Sequence, residues 1–237
     1  AVYRSRFLRD LAACPIVTEH VSKIAGTPLA PHSMPSQQMY VNYTPDDISK
    51  AVDSWHFDGI GFDYVLMVSD PRHLKGGKFE YFRGTKFEFA DMFDMDVPTI
   101  RQGVTDELPP DRVVQAEFPA AGYAVFQQGN MIVHRAARIE EPAERTTMVT
   151  GYVALDMSRA DPTAKHDLPY YAQSGVVAEL ARHSAWLAQS KLQNLIDSLP
   201  INDDFEGIEA AMVDAIEDVA HATRLLREAR KNGMQRP

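Results

Sequence analysis

The sequence predicts a mostly β domain of the sandwich or barrel type, with helices before and after it. Between residues 38 and 158, short apolar or alternating runs are separated by turn signals such as Gly76-Gly77. Many short strands divided in this way are typical of a sandwich or barrel. The composition then changes, because residues 168–198 and 203–232 are rich in Ala and Leu with charges between them. That pattern predicts two helices.

The N-terminal part of the chain predicts helix over residues 5–25, interrupted near Pro15, because apolar residues recur there at helical spacing. A loop rich in Pro and Ser follows. Residues 87–95 are ambiguous and could include a short helix. We expect the strands to lie, in chain order, in the runs QMYVNY, SWHFDG, FDYVLMVSD, GGKFEYFRGT, RVVQAEF, YAVFQQ, MIVHRAARI and RTTMVTGYVAL.

The length of 237 residues suits one large domain or a domain with a helical extension. We expect residues 1–160 to form the β domain together with the N-terminal helices, and residues 161–237 to form a C-terminal helical extension. An apolar stripe at helical spacing runs from Ile208 to Leu226. It is wide enough to pack on the β core or to form a homodimer interface.

The composition predicts neither nucleic acid nor a membrane as partner, so a small-molecule substrate is the first expectation and a protein substrate stays open. The formal net charge of -9 does not attract nucleic acid or an anionic membrane, and no apolar run is long enough to cross a bilayer. Cys14 is the only cysteine, so an internal disulfide is impossible and a reducing compartment is favoured. The chain begins with Ala1 rather than Met and shows no signal peptide, so a preceding segment stays open and a cytoplasmic localisation is the default expectation.

Three polar residues are candidate metal ligands. His56 and Asp58 are two apart, and side chains two apart on a strand point to the same face. His134 follows an apolar run and is expected on, or at the end of, a buried strand. Taken singly, each has a commoner explanation, since a His-x-Asp pair is often a surface hydrogen bond and a lone buried His is often a core residue. Together, two histidines and a carboxylate form the facial triad that binds iron(II) and leaves three coordination positions open.

Arg145 opens the run RTTMVTGYV and, if it is buried, needs an anionic partner or dense hydrogen bonding. 2-Oxoglutarate would meet that need beside a triad, because its 1-carboxylate and 2-oxo group can take two positions on iron and O2 the third. Arg145 can then hold the distal carboxylate with a bidentate fork. Thr147 lies on the same strand face and could donate a hydroxyl hydrogen bond to that carboxylate.

The order His56, Asp58, a long spacer, His134 and then Arg145 resembles the pattern of the iron(II)/2-oxoglutarate-dependent oxygenase superfamily. The Gly-Gly pair before KFEYF is also similar to the strand that follows the first two ligands there, and the resemblance covers residues 38–155. It implies a double-stranded β-helix (jelly-roll or cupin-like) core. It also implies Fe(II) on the two histidines and the aspartate, with 2-oxoglutarate and O2 as co-substrates.

The resemblance implies oxidation of an unactivated C–H bond of a small molecule, such as an amino acid or a secondary metabolite. Hydroxylation, desaturation and oxidative cyclisation all stay open. Halogenases of the superfamily replace the carboxylate by a small residue so that chloride can bind iron, and Asp58 therefore disfavours halogenation. The alternatives are a zinc-dependent hydrolase on the same ligands, in which Arg145 has no obvious role, and a non-catalytic metal-binding jelly-roll module.

Substrate contacts are expected from residues on the same strands as the ligands. Arg83 could bind a substrate carboxylate if its strand turns it inward, and it could equally lie at the rim in a solvated ion pair. Arg138 shares the strand parity of His134. Tyr40 and Asn42 precede the first ligands in the chain, and their polar groups could equally make ordinary contacts within the sheet. The four candidates are Tyr40, Asn42, Arg83 and Arg138.

Overall fold

The computed structural model describes residues 1–105, 107–156, 160–163, 174–198 and 204–233. Two antiparallel sheets form its centre, and helices lie at both ends of the chain. The described helices contain more residues than the described strands, because the last two helices span 25 and 27 residues. The protein is therefore a mixed helix and sheet structure: the expected antiparallel strands and terminal helices are present, but helix rather than strand is the larger part of the described residues.

The predicted interruption near Pro15 is present. The first helix is capped by the Ser5 side chain, which accepts from the Leu8 amide. The second begins at Pro15 and ends at Gly26, whose φ of 66° is in the left-handed region that glycine adopts readily. The helices are α1 (Arg6–Ala12), α2 (Pro15–Ala25), α3 (Pro35–Gln38), α4 (Lys86–Phe93), α5 (Val97–Arg101), α6 (Ser174–Ser198) and α7 (Phe205–Lys231).

Seven of the expected runs contain described strands, while the run SWHFDG forms only isolated bridges. The strand at Leu29–Pro31 was not expected, because that segment reads as a Pro-rich loop. The strands are β1 (Leu29–Pro31), β2 (Tyr40–Asn42), β3 (Phe62–Met67), β4 (Phe79–Phe82), β5 (Val113–Ala116), β6 (Ala124–Gln127), β7 (His134–Ala136) and β8 (Thr147–Ala154).

The larger sheet has the order β1-β8-β3-β6, and β2 also pairs with β8. The smaller sheet has the order β5-β4-β7, and every pairing in both sheets is antiparallel. In the described part of the chain no strand ladder joins the two sheets into a closed barrel. Strand β8 is buried along almost its whole length because it pairs on both sides and is covered on both faces.

Side-chain alternation along β8 separates two apolar layers. Met148 packs with residues of α1, so this face of the large sheet is covered by the N-terminal helices. Val149 points the other way and packs with Val65 and Phe79, between the two sheets. A third cluster, around Trp55, packs β4 against α4 and α5. Thr147 has the parity of Val149, so it also faces the space between the sheets.

The C-terminal helices α6 and α7 pack mainly against each other. Helix α6 is joined to the N-terminal half by buried polar contacts: His183 Nδ1 lies 2.6 Å from Ser33 Oγ, and Glu179 accepts from the Ser36 amide at 2.8 Å. Of the predicted stripe on α7, Ala215 is buried whereas Ile216 is exposed. Residues 168–173 of the predicted helix lie outside the described residues. The division at residue 160 and the homodimer stay predictions.

Across the described residues, no helix combines the length and the apolar character that crossing a bilayer requires.

Candidate metal centre

The three predicted ligands converge. One ligand atom from each of His56, Asp58 and His134 lies within 4.8 Å of the others. The His56 Nε2 atom is 3.7 Å from Asp58 Oδ1, and the His134 Nε2 atom is 3.4 Å from Asp58 Oδ2. Among the described residues, no other group of three or more His, Cys, Asp or Glu side chains has its ligand atoms this close together.

Backbone pairing explains why the two histidines meet. The His56 amide donates to the His134 carbonyl at 3.0 Å, and the His134 amide donates to the His56 carbonyl at 2.8 Å. Residues directly opposite in an antiparallel pair project from the same face, and the two ring centroids are 4.5 Å apart. The Asp58 amide donates to the Gly129 carbonyl at 2.8 Å, which holds the third ligand beside them.

Both imidazoles are oriented for metal binding by their Nδ1 atoms. His56 Nδ1 lies 2.8 Å from the Ser54 carbonyl, and His134 Nδ1 lies 3.0 Å from the Ile132 carbonyl. A carbonyl oxygen only accepts hydrogen bonds, so each Nδ1 carries a proton and donates it. In the neutral imidazole the Nε2 lone pair is then available, which is the arrangement that metal-binding histidines use.

The electrostatics keep Asp58 ionised. Burial alone would raise the pKa of Asp58, but the charge of His134 and the hydrogen bond and charge of His56 outweigh it and lower that pKa. For His56, burial opposes the charged form, yet the hydrogen bond to Asp58 and the charges of Asp53 and Asp58 raise its pKa to about 9. For His134, burial dominates and lowers the pKa. Asp58 is therefore a carboxylate paired with protonated His56 near neutral pH, and a metal ion that binds here would displace the Nε2 proton of His56.

Two further residues support Asp58, and the sequence reasoning missed both. Gln127 Nε2 donates to Asp63 Oδ1 at 2.9 Å and to Asp58 Oδ2 at 3.3 Å. Burial, and then the charge of Asp58, raise the pKa of Asp63 well above its usual range. The one available signal was an acidic residue inside the apolar run FDYVLM, since a buried carboxyl needs a partner.

Gly129 makes room for this carboxyl pair. A Cβ atom at position 129 would collide with Asp63 Oδ2 and would lie 2.9 Å from Asp58 Oδ2. The close approach of the backbone to both carboxyl groups therefore requires a glycine.

A cavity of about 340 Å³ opens on the cluster and contains the predicted anion anchor. Arg145 is only 2% exposed, and its Nε atom donates to the Gly77 carbonyl at 2.7 Å. Burial lowers its pKa to about 10, partly opposed by the charge of Asp53, so it is still a cation near neutral pH. Of the carboxylates in the described residues, none forms an ion pair with it. Other lining residues include Tyr40, Asn42, His56, Asp58, His134 and Thr147.

Gly77 explains part of the Gly-Gly pattern. Its φ of 61° is left-handed, and a Cβ atom there would lie 3.1 Å from Arg145 Cδ. Glycine at this position lets the arginine side chain lie against the backbone of the segment before β4.

A second cavity, of about 910 Å³, lies on the other side of Asp58. Asp58 and Tyr40 line both cavities, so the two spaces meet at the metal cluster. Phe57 and residues of α4 and α5 form part of the second cavity. The first cavity therefore extends from the cluster toward Arg145, and the larger second cavity extends from the cluster toward helices α4 and α5.

The structure brings only two of the four substrate candidates to these cavities. Tyr40 lines both and Asn42 lines the first. Arg83 is exposed, because β4 ends at Phe82 and the strand alternation does not continue to it. Arg138 is exposed as well, two residues beyond the end of β7. Neither arginine lines either cavity.

The fold and the site together define a mixed helix and sheet protein with antiparallel sheets and a His-Asp-His cluster that could hold a metal ion. The model of the Halogenase D family matches residues 2–169, which is more than half of the chain. The chain belongs to this family.

Among solved structures, the chain is similar to SnoN, described as a non-heme alpha-ketoglutarate-dependent epimerase from nogalamycin biosynthesis. The two chains are 15% identical with a TM-score of 0.43, over 64% of this chain and 59% of that one. Among curated proteins, none matches this chain.

Proposed function

We propose that the protein is an iron(II)- and 2-oxoglutarate-dependent oxygenase that oxidises an unactivated C–H bond of a small molecule. The observation that carries the proposal is the position of a buried arginine, Arg145, in the same cavity as the ligand atoms of His56 and His134. A facial triad alone fits several metals, but a buried cation beside it fits a co-substrate with a second carboxylate.

The donor set fits iron(II), since two imidazoles and one carboxylate are the ligands of the facial triad. His56, Asp58 and His134 would hold the metal through Nε2, a carboxylate oxygen and Nε2. Arg145 would hold the distal carboxylate of 2-oxoglutarate, with Thr147, which is 1% exposed, as a hydroxyl donor on the same wall. When bound, iron(II) and 2-oxoglutarate supply, with O2, an oxidant for unactivated C–H bonds. The two antiparallel sheets are compatible with the double-stranded β-helix that this assignment implies.

The remaining residues orient the ligands and exclude water. Gln127 and Asp63 hold Asp58 from behind, and the two backbone carbonyls fix the imidazole rings. Fixed ligand orientation of this kind commonly changes metal affinity or activity 10- to 100-fold when it is lost. Val65, Phe79 and Val149 pack together and form an apolar wall of the co-substrate cavity between the sheets. This wall excludes water that would otherwise compete with the co-substrate for its binding groups.

Asp58 favours oxygen insertion or dehydrogenation over halogenation, although the family takes its description from a halogenase. Three protein ligands leave three positions on a six-coordinate ion. 2-Oxoglutarate would take two of them and O2 the third, so no position is left for chloride. Loss of the carboxylate is what would create one.

A zinc hydrolase on the same ligands is the second candidate. Zinc accepts the same three donors, but it gives Arg145 no anion to bind. The buried arginine favours the oxygenase over the hydrolase and over a non-catalytic metal-binding module.

The test is iron-dependent conversion of 2-oxoglutarate under ¹⁸O₂, with a pool of small metabolites as candidate substrates. The proposal predicts succinate that carries one ¹⁸O atom, with activity lost in His134→Ala. His20→Ala is the matched control, because His20 is exposed on α2. Iron-independent activity, or metal-dependent hydrolysis that needs no 2-oxoglutarate, would refute the proposal in favour of the hydrolase.

A further inference from the structure

The second cavity contains a cationic wall that the proposed iron and 2-oxoglutarate sites do not use. Lys86, at the start of α4, and Arg101, at the end of α5, both line this cavity together with Asp58. Both cations approach the same ring: Lys86 Nζ is 4.6 Å and Arg101 Cζ is 5.9 Å from the centroid of Phe57. Because Asp58 lines the same cavity, this space connects the two cations with a proposed metal ligand.

Lys86 lies in an environment that favours the binding of an anion. Among the carboxylates of the described residues, none pairs with its ammonium group; its recorded contacts are the faces of Phe57 and Phe87. Burial, and then the charge of Arg101, lower the pKa of Lys86. An anion bound in the cavity would place a negative charge beside the Lys86 ammonium group, and this attraction would be strengthened by the partial burial of that group.

The rest of the cavity adds an apolar surface and one polar group. Phe57, Val97 and Pro98 provide apolar walls. The Oδ1 atom of Asn130, also a lining residue, is buried and accepts no hydrogen bond from the residues that the structure describes. A buried acceptor without a donor is costly, so a hydroxyl or amine group of a bound molecule would fit there.

We propose that Lys86 and Arg101 form the anion-binding subsite of the substrate pocket, and that the substrate is a small molecule with a carboxylate or phosphate group. Its apolar part lies along Phe57 and its reacting carbon lies toward Asp58. The anion-binding subsite does not depend on the proposed oxygenase function; only the statement that the bound molecule is the substrate rests on it. It replaces Arg83 as the group that binds the substrate anion.

The test is equilibrium dialysis of three six-carbon probes against the full chain: hexanoate, hexanamide and monohexyl phosphate. The protein is loaded anaerobically with iron(II) and excess 2-oxoglutarate, so that Arg145 is occupied and does not capture the probe. The variants are Lys86→Met and Arg101→Gln, which remove one charge each. Lys23→Met is the matched control, because Lys23 is exposed on α2 and pairs with Glu19.

We expect at least one anionic probe to bind about tenfold more tightly than the amide, because hydrogen bonds to charged groups are worth about a decade in affinity. Each cavity variant should weaken the anionic probe about tenfold and leave the amide unchanged. The tighter of the two anions identifies the headgroup. Lys23→Met should bind as wild type.

Equal binding of all three probes would overturn the proposal, and so would unchanged anion binding in both cavity variants. Weaker binding in Arg83→Gln instead would return the role to Arg83. Turnover of the iron-loaded protein separates the two proposals. If that protein keeps the anion preference but consumes no 2-oxoglutarate under O2, the subsite stands and the oxygenase assignment fails.

Discussion

Replacement of Arg145 by glutamine tests whether the buried arginine binds 2-oxoglutarate. Glutamine has a similar stem and can still reach the Gly77 carbonyl as a donor, but it has no charge and no guanidinium fork. Since Arg145 is 2% exposed, solvent would screen its interaction with a carboxylate only weakly. The change should therefore act on the co-substrate and spare the metal ligands.

The expected magnitude follows from the burial and the missing partner. Removing one member of a buried, hydrogen-bonded charge pair costs about 2–5 kcal/mol, which corresponds to a loss of roughly 30- to 4,000-fold in affinity. Arg145→Lys keeps the charge and loses the planar fork, so its loss should be smaller than that of the glutamine variant.

The assay is anaerobic calorimetric titration of iron(II)-loaded protein with 2-oxoglutarate, preceded by an iron(II) titration of each variant. We expect a large loss of 2-oxoglutarate affinity with iron affinity unchanged. A glutamine variant that binds 2-oxoglutarate as tightly as the wild type would refute the role of Arg145. A parallel loss of iron affinity would instead show that the change had disturbed the cluster.

Three further predictions concern the ligands and their support. Asp58→Gly should abolish oxygen insertion and open a position for chloride, and mass spectrometry of products formed with chloride present checks this. Gly129→Ala should weaken iron binding about 10- to 100-fold by displacing Asp58, whereas Gly175→Ala, where a Cβ meets nothing within 4 Å, should not; metal titration of both decides. His32 should make the fold acid-sensitive: burial, and then the charge of His183, lower its pKa from 6.5 to about 3. The stability from neutral His32 is complete above pH 6.5 and is lost as the pH falls toward 3, by about 2 kcal/mol at pH 5. Urea unfolding at pH 5 and 7.5 measures this, and an equal pH dependence in His32→Gln would contradict it.

The sequence was informative where chemistry depends on residue type. His56, Asp58 and His134 could be predicted as a cluster because few residue types bind iron, and strand alternation limits which side chains can meet. The structure explains the convergence by a reciprocal backbone pair between the two histidines, which no local pattern encodes. The segment at His56 forms only isolated bridges, so the expected strand geometry was not what brings Asp58 to its place.

Contacts between distant segments could not be predicted. Asp63 and Gln127 reach Asp58 from strands β3 and β6, which are neighbours in the sheet but far apart in sequence. Arg83 was favoured by strand parity, which fails because the strand ends one residue earlier. Lys86 directly precedes the segment 87–95, whose pattern was ambiguous, and the two together contain the helix α4. No strand pattern was therefore available to place the Lys86 side chain.

The helices account for the remaining difference between the predicted fold and the observed fold. Their periodicity was readable, but their share of the chain makes the fold mixed rather than mostly β. His183 on α6 contacts Ser33 and Asp161, a buried polar attachment that no spacing in the sequence indicated. Such contacts depend on how α6 packs on the sheets, which local pattern does not determine.

The most direct test of the central claim is the visible absorption spectrum of the iron(II)-loaded protein during anaerobic addition of 2-oxoglutarate. We expect a weak metal-to-ligand charge-transfer band in the wild type, and no such band in His134→Ala or when zinc replaces iron. Iron bound to folded protein without any band on addition of 2-oxoglutarate would contradict the account and favour the hydrolase or the non-catalytic module.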